Sequence, residues 1–452
     1  MSSSEGWQTR SGFMLATIGS AIGVGSIWKF PYEVGANGGG AFVFVYLLGL
    51  AVVVVPLMLA EFAIGNRGRA DAATSVANVA RESSISERWG LFGLLGAVTA
   101  FLILSFYAVV GGWTLAYAVD AISQGLTDDP VEVTGRFDSF LASPVRMALY
   151  QGLFLAAVAL VVTRGVQRGI ETTMKILMPV MMALLIVLAW YSMRNGDARA
   201  TLRFLFVPDT DDLTGRGVLD ALGLGFFSIG VGLGILMTYA AYSPTYTDLK
   251  QVAIVSVVAD TAVSLVAGLA VFPVVFANGL DAASGPGLVF ESLPVAFASM
   301  PAGRIVATAF FLLLSIAALG SAVSMLEAAV AVLCHRLGWS RRLATMVAAS
   351  TCFVAGLATV LSFNRWNGVH LLSWIDRYSS ATVYDLLDDA TSQLLLPLGG
   401  LALAVFAGWA LPARILGEEL RIRGAALTGL RLMLRVVAPL AIVAAVVVSA
   451  LR

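Results

Sequence analysis

Charge is scarce in this sequence. Of 452 residues, 12% are Asp, Glu, Lys or Arg, about half the ~25% of an ordinary soluble domain. The 28 basic and 28 acidic side chains cancel, so no nucleic-acid partner is expected. Cysteine is limited to Cys334 and Cys352, both in or beside apolar stretches, which argues against a disulfide framework. The two histidines, His335 and His370, fall in segments read as loops on opposite faces of a membrane. With no His–Cys cluster and no nucleophile–base pair, the expectation is that this is not an enzyme. Met1 to Arg10 lacks the charged start and cleavage site of a signal peptide.

Apolar residues make up 59% of the chain, the composition of a polytopic membrane protein in a lipid bilayer. Eleven stretches reach the ~20 residues needed to span hydrocarbon. They fall near 11–35, 39–65, 90–123, 145–163, 170–193, 216–241, 250–276, 302–335, 341–361, 390–411 and 428–450. Basic residues mark the cytoplasmic side. Arg67, Arg69, Arg81 and Arg88, then Arg164, Arg168 and Lys175, then Arg414, Arg421, Arg423 and Arg431 occupy alternate connectors. The other connectors carry acids: Asp128, Asp129 and Asp138; Asp209, Asp211 and Asp212; Asp385, Asp388 and Asp389. Arg199, Arg203 and Arg365 run against this alternation. The expected topology has a cytoplasmic N-terminus and, with an odd span count, the C-terminus outside.

Glycines interrupt the first span at Gly19, Gly23 and Gly25, where a membrane helix should be most regular. Glycine costs about 1 kcal/mol relative to alanine in a helix. A break in hydrocarbon also frees backbone groups, which is tolerated only in a protein-lined cavity. Five spans later the pattern returns in Gly223-Leu-Gly-Phe-Phe-Ser-Ile-Gly-Val-Gly-Leu-Gly234. Paired broken helices point to inverted repeats around a midplane site. The expected division is 1–193 (helices 1–5), 194–411 (helices 6–10) and 412–452 (a connector and helix 11).

These residues resemble the neurotransmitter:sodium symporter family, in its bacterial leucine-transporter branch. The resemblance rests on Trp7-Gln-Thr-Arg10, Gly19 to Pro31, Asn37-Gly-Gly-Gly-Ala-Phe42, Pro56-Leu-Met58 with Glu61, Phe226-Phe-Ser228 and Tyr239 to Tyr242. Gly169 and Pro179 are similar to the helix-5 feature that permits unwinding on the inner side. The resemblance implies an all-α, eleven-helix fold and a sodium-coupled amino-acid symporter working by alternating access.

It also implies residue roles. Val24 and Gly25 N–H groups with the Tyr107 hydroxyl would face a substrate carboxylate, and carbonyls of Ala21, Phe227 and Ser228 the amine. Gly23 leaves room for that carboxylate. Ile103, Phe227, Gly230, Leu233, Ser321 and Met325 would form a largely apolar wall suited to a neutral, apolar α-amino acid. Gly230, set in Ser-x-Gly-x-Gly-Leu-Gly, is similar to carriers of GABA and taurine, so an ω-amino acid is the alternative substrate. A non-transporting sensor of the same fold is the other alternative.

For sodium, the resemblance places a first site at the Ala21 carbonyl, Ser26, Ser228 and Asp260. A second would use carbonyls of Gly19, Ile22 and Ala317 with Ser321. Gly320 stands there in place of the family's usual oxygen ligand, leaving one or two ions as the expectation. Tyr46, Ser228 and Ser264 match chloride ligands, but Leu224 replaces a glutamine and Asp260 supplies negative charge, so chloride is not expected to be required. Lys29 with Asp388 would form the outer gate beneath a Phe227 lid. Trp7 and Tyr242 would close the inner side. Ser4 and His335 occupy the places of the inner ion pair, with Glu5 and Arg336 as a reversed substitute. Oligomeric state is not legible in the sequence.

Overall fold

The computed structural model describes residues 6–123, 125–209, 213–244, 247–280 and 287–450. Ser4, Glu5, Asp211 and Asp212 lie outside the described residues. The described chain is all-helical, with only an isolated Gly39–Pro208 bridge outside helices and turns. In order the helices are α1 (Arg10–Ala21), α2 (Gly25–Ala36), α3 (Gly40–Gly68), α4 (Ala72–Glu82), α5 (Glu87–Ser123) and α6 (Pro130–Leu141). Then come α7 (Pro144–Thr163), α8 (Val166–Asn195), α9 (Ala198–Phe206), α10 (Gly215–Ile229), α11 (Ile235–Ala241) and α12 (Leu249–Ala277). The rest are α13 (Leu288–Ala298), α14 (Gly303–Leu337), α15 (Arg341–Ser362), α16 (Val383–Ala410), α17 (Ala413–Leu420) and α18 (Gly424–Val448).

Among the described residues, nine of these helices are long and apolar enough to cross a membrane, and α1 with α2 qualify together as a pair bent by 51°. The expected spans and the helices agree to within a few residues at most ends. The exception is α16, which starts at Val383 and not near 390, because Thr382 and Asp385 cap each other's backbone N–H groups. Its first two turns carry Asp385, Asp388 and Asp389, which hid them from a reading based on apolar length. A second correction concerns His335 and Arg336, which sit in the last turn of α14 and not in a loop.

Proline placement explains a recurring distortion. Among the described residues, wide turns with π-type bonding occupy seven segments. Val166–Glu171 has no proline two residues after it, and Phe406–Ala410 lies at a helix end before Pro412. The other five are Gly25–Lys29, Leu50–Val54, Leu288–Ser292, Ala390–Leu395 and Met433–Val437. Each of these five is followed two residues later by a proline within the span: Pro31, Pro56, Pro294, Pro397 and Pro439. A proline ring collides with the carbonyl four residues back and offers no N–H. Widening the preceding turn relieves the collision without breaking the span.

Helices α5 and α14 form the centre, with 72% of each apolar stretch buried, against 17% for α18. Helices α1, α2 and α11 contact this pair, and α10 packs on α1 and α2, which brings both interruptions into the interior.

Candidate substrate and ion site

Two backbone breaks face one another. Helix α1 stops at Ala21, Ile22 turns extended (φ −77°, ψ 107°), and α2 restarts at Gly25. The second break runs from Gly230 to Gly234, with φ of +71°, +88° and +71° at Gly230, Gly232 and Gly234. Only glycine takes that left-handed region routinely. Gly230 ends α10, its N–H donating to the Phe226 carbonyl at 3.0 Å. Gly232 donates to buried Glu61 Oε1 at 2.6 Å, so a carboxylate satisfies a backbone group freed by the break.

Between the breaks lies a small cavity of about 20 Å³. Ala21, Gly23, Gly25, Ile103, Tyr107, Phe227, Ser228, Gly230, Leu233, Ser321 and Met325 line it, as expected from sequence. Val24 lines instead the neighbouring cavity, which shares Gly25, Tyr107 and Phe227 with the first. Its N–H donates to the Tyr107 hydroxyl at 3.2 Å, so two groups expected to face a carboxylate already meet. Gly23 has a packing reason: a Cβ there would run into Ser321 Oγ and lie 3.0 Å from the Tyr107 hydroxyl. Sequence reasoning missed Ser20, Ile229, Ile235 and Leu396, which complete the wall. Leu396 comes from α16, and no periodicity marks it.

Beside the cavity, four buried side chains from four helices converge. Asp260 of α12 accepts from Ser26 at 2.5 Å, from Ser228 at 3.0 Å and from Tyr46 at 3.1 Å. Ser26 and Ser228 are 3.1 Å apart. Water is excluded from all four, and a buried carboxylate calls for a compensating cation. The cluster presents oxygens only, the donor set hard cations prefer. Among the described residues no group of three or more His, Cys, Asp or Glu side chains is placed to hold a metal ion. The donor chemistry therefore fits an alkali ion and not a transition metal.

The second expected ion site is tighter. Ser321 Oγ donates to the Ser20 carbonyl at 3.2 Å and lies 3.4 Å from the Ile22 carbonyl. A Cβ at Gly320 would stand 2.5 Å from the Gly19 carbonyl oxygen. The missing ligand thus has a steric cause: α1 packs directly on the Gly320 backbone. Ala317 is buried one turn earlier.

The sodium:neurotransmitter symporter family profile matches residues 4–134 and 141–451. The chain belongs to the sodium:neurotransmitter symporter family. It is similar to an uncharacterized sodium-dependent transporter, YhdH, of Bacillus subtilis, at 35% identity over 92% of this chain and 89% of that one. It also resembles the bovine sodium-dependent dopamine transporter, at 25% identity over 84% and 60% of the two chains. Among solved structures it is similar to MhsT in complex with L-phenylalanine: 40% identity, TM-score 0.89, covering 98% and 99% of the two chains. The protein is accordingly a sodium-dependent, multi-pass membrane transporter.

On the transporter's N-terminal face the path is closed. Trp7 Nε1 donates to the Tyr239 carbonyl at 2.8 Å and its backbone N–H to the Tyr242 carbonyl at 3.1 Å. Its ring meets Tyr239 edge-on at 5.1 Å. Buried Glu171 accepts from Gln8 N–H and Thr9 Oγ1, both at 2.8 Å, and from Lys175 at 2.6 Å. The region Val166–Glu171 stays helical, so the Gly169–Pro179 feature is not unwound here. The buried ion pair on this face joins Arg341 and Glu327, and Tyr242 donates to Glu327 at 3.0 Å. It is a different pair from the one expected at Ser4 and His335 or Glu5 and Arg336. Glu327 did carry a sequence signal, being a lone acid inside an apolar span.

At the opposite end Lys29 and Asp388 line the same cavities without meeting as an ion pair. Asp388 accepts from Ser392 at 2.9 Å, and Lys29 Nζ stands 4.7 Å from the Phe227 ring centre. The expected outer pair is corrected in this conformation: a local hydroxyl and an aromatic face satisfy each charge separately. Phe227 separates the central cavity from the outer one.

Proposed function

We propose that this transporter carries a neutral, apolar α-amino acid together with sodium, by alternating access. The observation that carries this reading is the α1–α2 break, which sets Val24 N–H and the Tyr107 hydroxyl beside an apolar-walled cavity and the Asp260 cluster. Backbone donors at a helix restart suit a carboxylate. Sodium at Ala21, Ser26, Ser228 and Asp260 would share that carboxylate, making substrate and ion binding mutually dependent. Counting α1–α2 and α10–α11 each as one discontinuous span gives eleven spans. Residues 1–193 and 194–411 then form the two inverted repeats, and 412–452 the connector and last helix. The N-terminus is cytoplasmic and the C-terminus external.

The solved relative's bound L-phenylalanine agrees with an apolar side-chain pocket. Gly230, the reason to consider an ω-amino acid, has a backbone explanation in its φ of +71°. That weakens the alternative. Leu224 in place of a chloride-site glutamine, with Asp260 as fixed negative charge, supports chloride-independent transport.

The test is uptake into proteoliposomes under an inward sodium gradient, with potassium as control. L-Phenylalanine and L-leucine should accumulate, and chloride replacement by gluconate should leave uptake unchanged. Preference for GABA or taurine would overturn the substrate class. Sodium-dependent binding without counterflow would make the protein a sensor.

A further inference from the structure

On the flank of the bundle, away from the substrate path, α5, α8 and α14 leave an open groove of about 400 Å³. Its walls are Ile122, Leu184, Ile305, Ala309 and Leu312, with Arg304 and Thr308 on the α14 side. Residues 304, 308 and 312 succeed one another down one face of α14, so the charge sits at one end and the hydrocarbon below it. Ile122 and Ile305 are 56% and 72% exposed, which in a membrane means facing acyl chains.

Arg304 is held in place. Its Nε donates to the Ala121 carbonyl near the end of α5 at 3.1 Å. Among the described residues no carboxylate lies within 4.0 Å of its guanidinium. The neighbouring end of α8 marks the membrane–water boundary. There Tyr191 donates to the Pro301 carbonyl, and exposed Trp190 carries the Arg194 guanidinium 5.6 Å above its ring. Amphipathic aromatics settle at that level. Leu184 and Tyr191, seven residues apart, share one face of α8, so the groove runs from hydrocarbon up to the headgroup layer.

We propose that this groove holds one acyl chain of a phospholipid whose phosphate is bound by Arg304, with an anionic headgroup preferred over a zwitterionic one. The guanidinium keeps N–H groups beyond Nε for a phosphate, which it can grip at two points. Among the described residues no acidic side chain neutralises it, so a net negative headgroup gains more than one carrying its own amine. It requires only that the chain is embedded in a membrane, and is independent of which solute is carried.

Native mass spectrometry of the full chain, titrated in neutral detergent with phosphatidylglycerol or phosphatidylcholine, tests this. The wild type should retain one phosphatidylglycerol at concentrations at least fivefold below those needed for phosphatidylcholine. Arg304→Gln should abolish that preference, bringing phosphatidylglycerol retention down to that of phosphatidylcholine in the same variant. Ala309→Phe, which fills the groove, should reduce retention of both lipids, and melting temperature checks that each variant is folded. An unaltered preference in folded Arg304→Gln, or adduct series with no saturation at one lipid, would overturn the proposal.

Discussion

On the face that carries Trp7, rings, carbonyls and a buried ion pair from α8, α11, α14 and α15 interlock. At the other end, Lys29 and Asp388 share a cavity without touching. The contrast sets the conformation: the Trp7 side is shut by many interlocked groups, whereas toward the Lys29 end Phe227 stands between the central cavity and the outer one. It also separates two kinds of gate. One is held by desolvated groups that lose much if a partner is removed, the other by partly exposed groups that lose little.

Removing one partner at the closed end should break this contrast most. Arg341→Gln takes the cationic partner from buried Glu327, a cost of about 3–5 kcal/mol. Thiol labelling at Ser20→Cys, in a background lacking Cys334 and Cys352, should accelerate at least tenfold from the Trp7 face. An unchanged rate would show that the pair does not hold the closure. Trp7→Ala, at about 3 kcal/mol for a buried aromatic, should act in the same direction in that assay.

The ion sites sharpen the comparison at smaller scale. Gly320→Ser forces α1 and α14 apart at the Gly19 carbonyl, costing roughly 1–3 kcal/mol. Its melting temperature should fall, and a variant as stable as the parent would mean that the contact yields easily. Gly230→Ser places a side chain at φ +71°, at about 1–2 kcal/mol. It should lower stability without changing the preference between phenylalanine and GABA. A switch in preference would restore Gly230 as a specificity residue. Lys29→Gln should matter least, removing a cation–π contact of about 0.5–1 kcal/mol. Labelling rates from the Lys29 end should stay within a few-fold of the parent.

Much of the fold was legible because membrane spans are long, apolar and bounded by charge. The exception at α16 is instructive: acidic residues in its first turns concealed a real helix start. The breaks were legible because glycine in hydrocarbon is expensive and therefore informative. His335 was misplaced because it closes the apolar run, where hydropathy does not say whether the helix continues. Leu396 escaped notice because one more leucine among many carries no mark of its neighbours.

Composition and pattern alone determined the class: a low-charge chain whose glycine-broken spans recur five spans apart. That much follows from local physics, since the bilayer imposes length, hydropathy and backbone satisfaction on each span separately. Tertiary structure decided which side chains meet across distance. It joined Asp260 to Ser26, Tyr46 and Ser228, paired Arg341 with Glu327, and kept Lys29 apart from Asp388. Those choices depend on how helices far apart in sequence approach one another, and no property of a single segment encodes that approach.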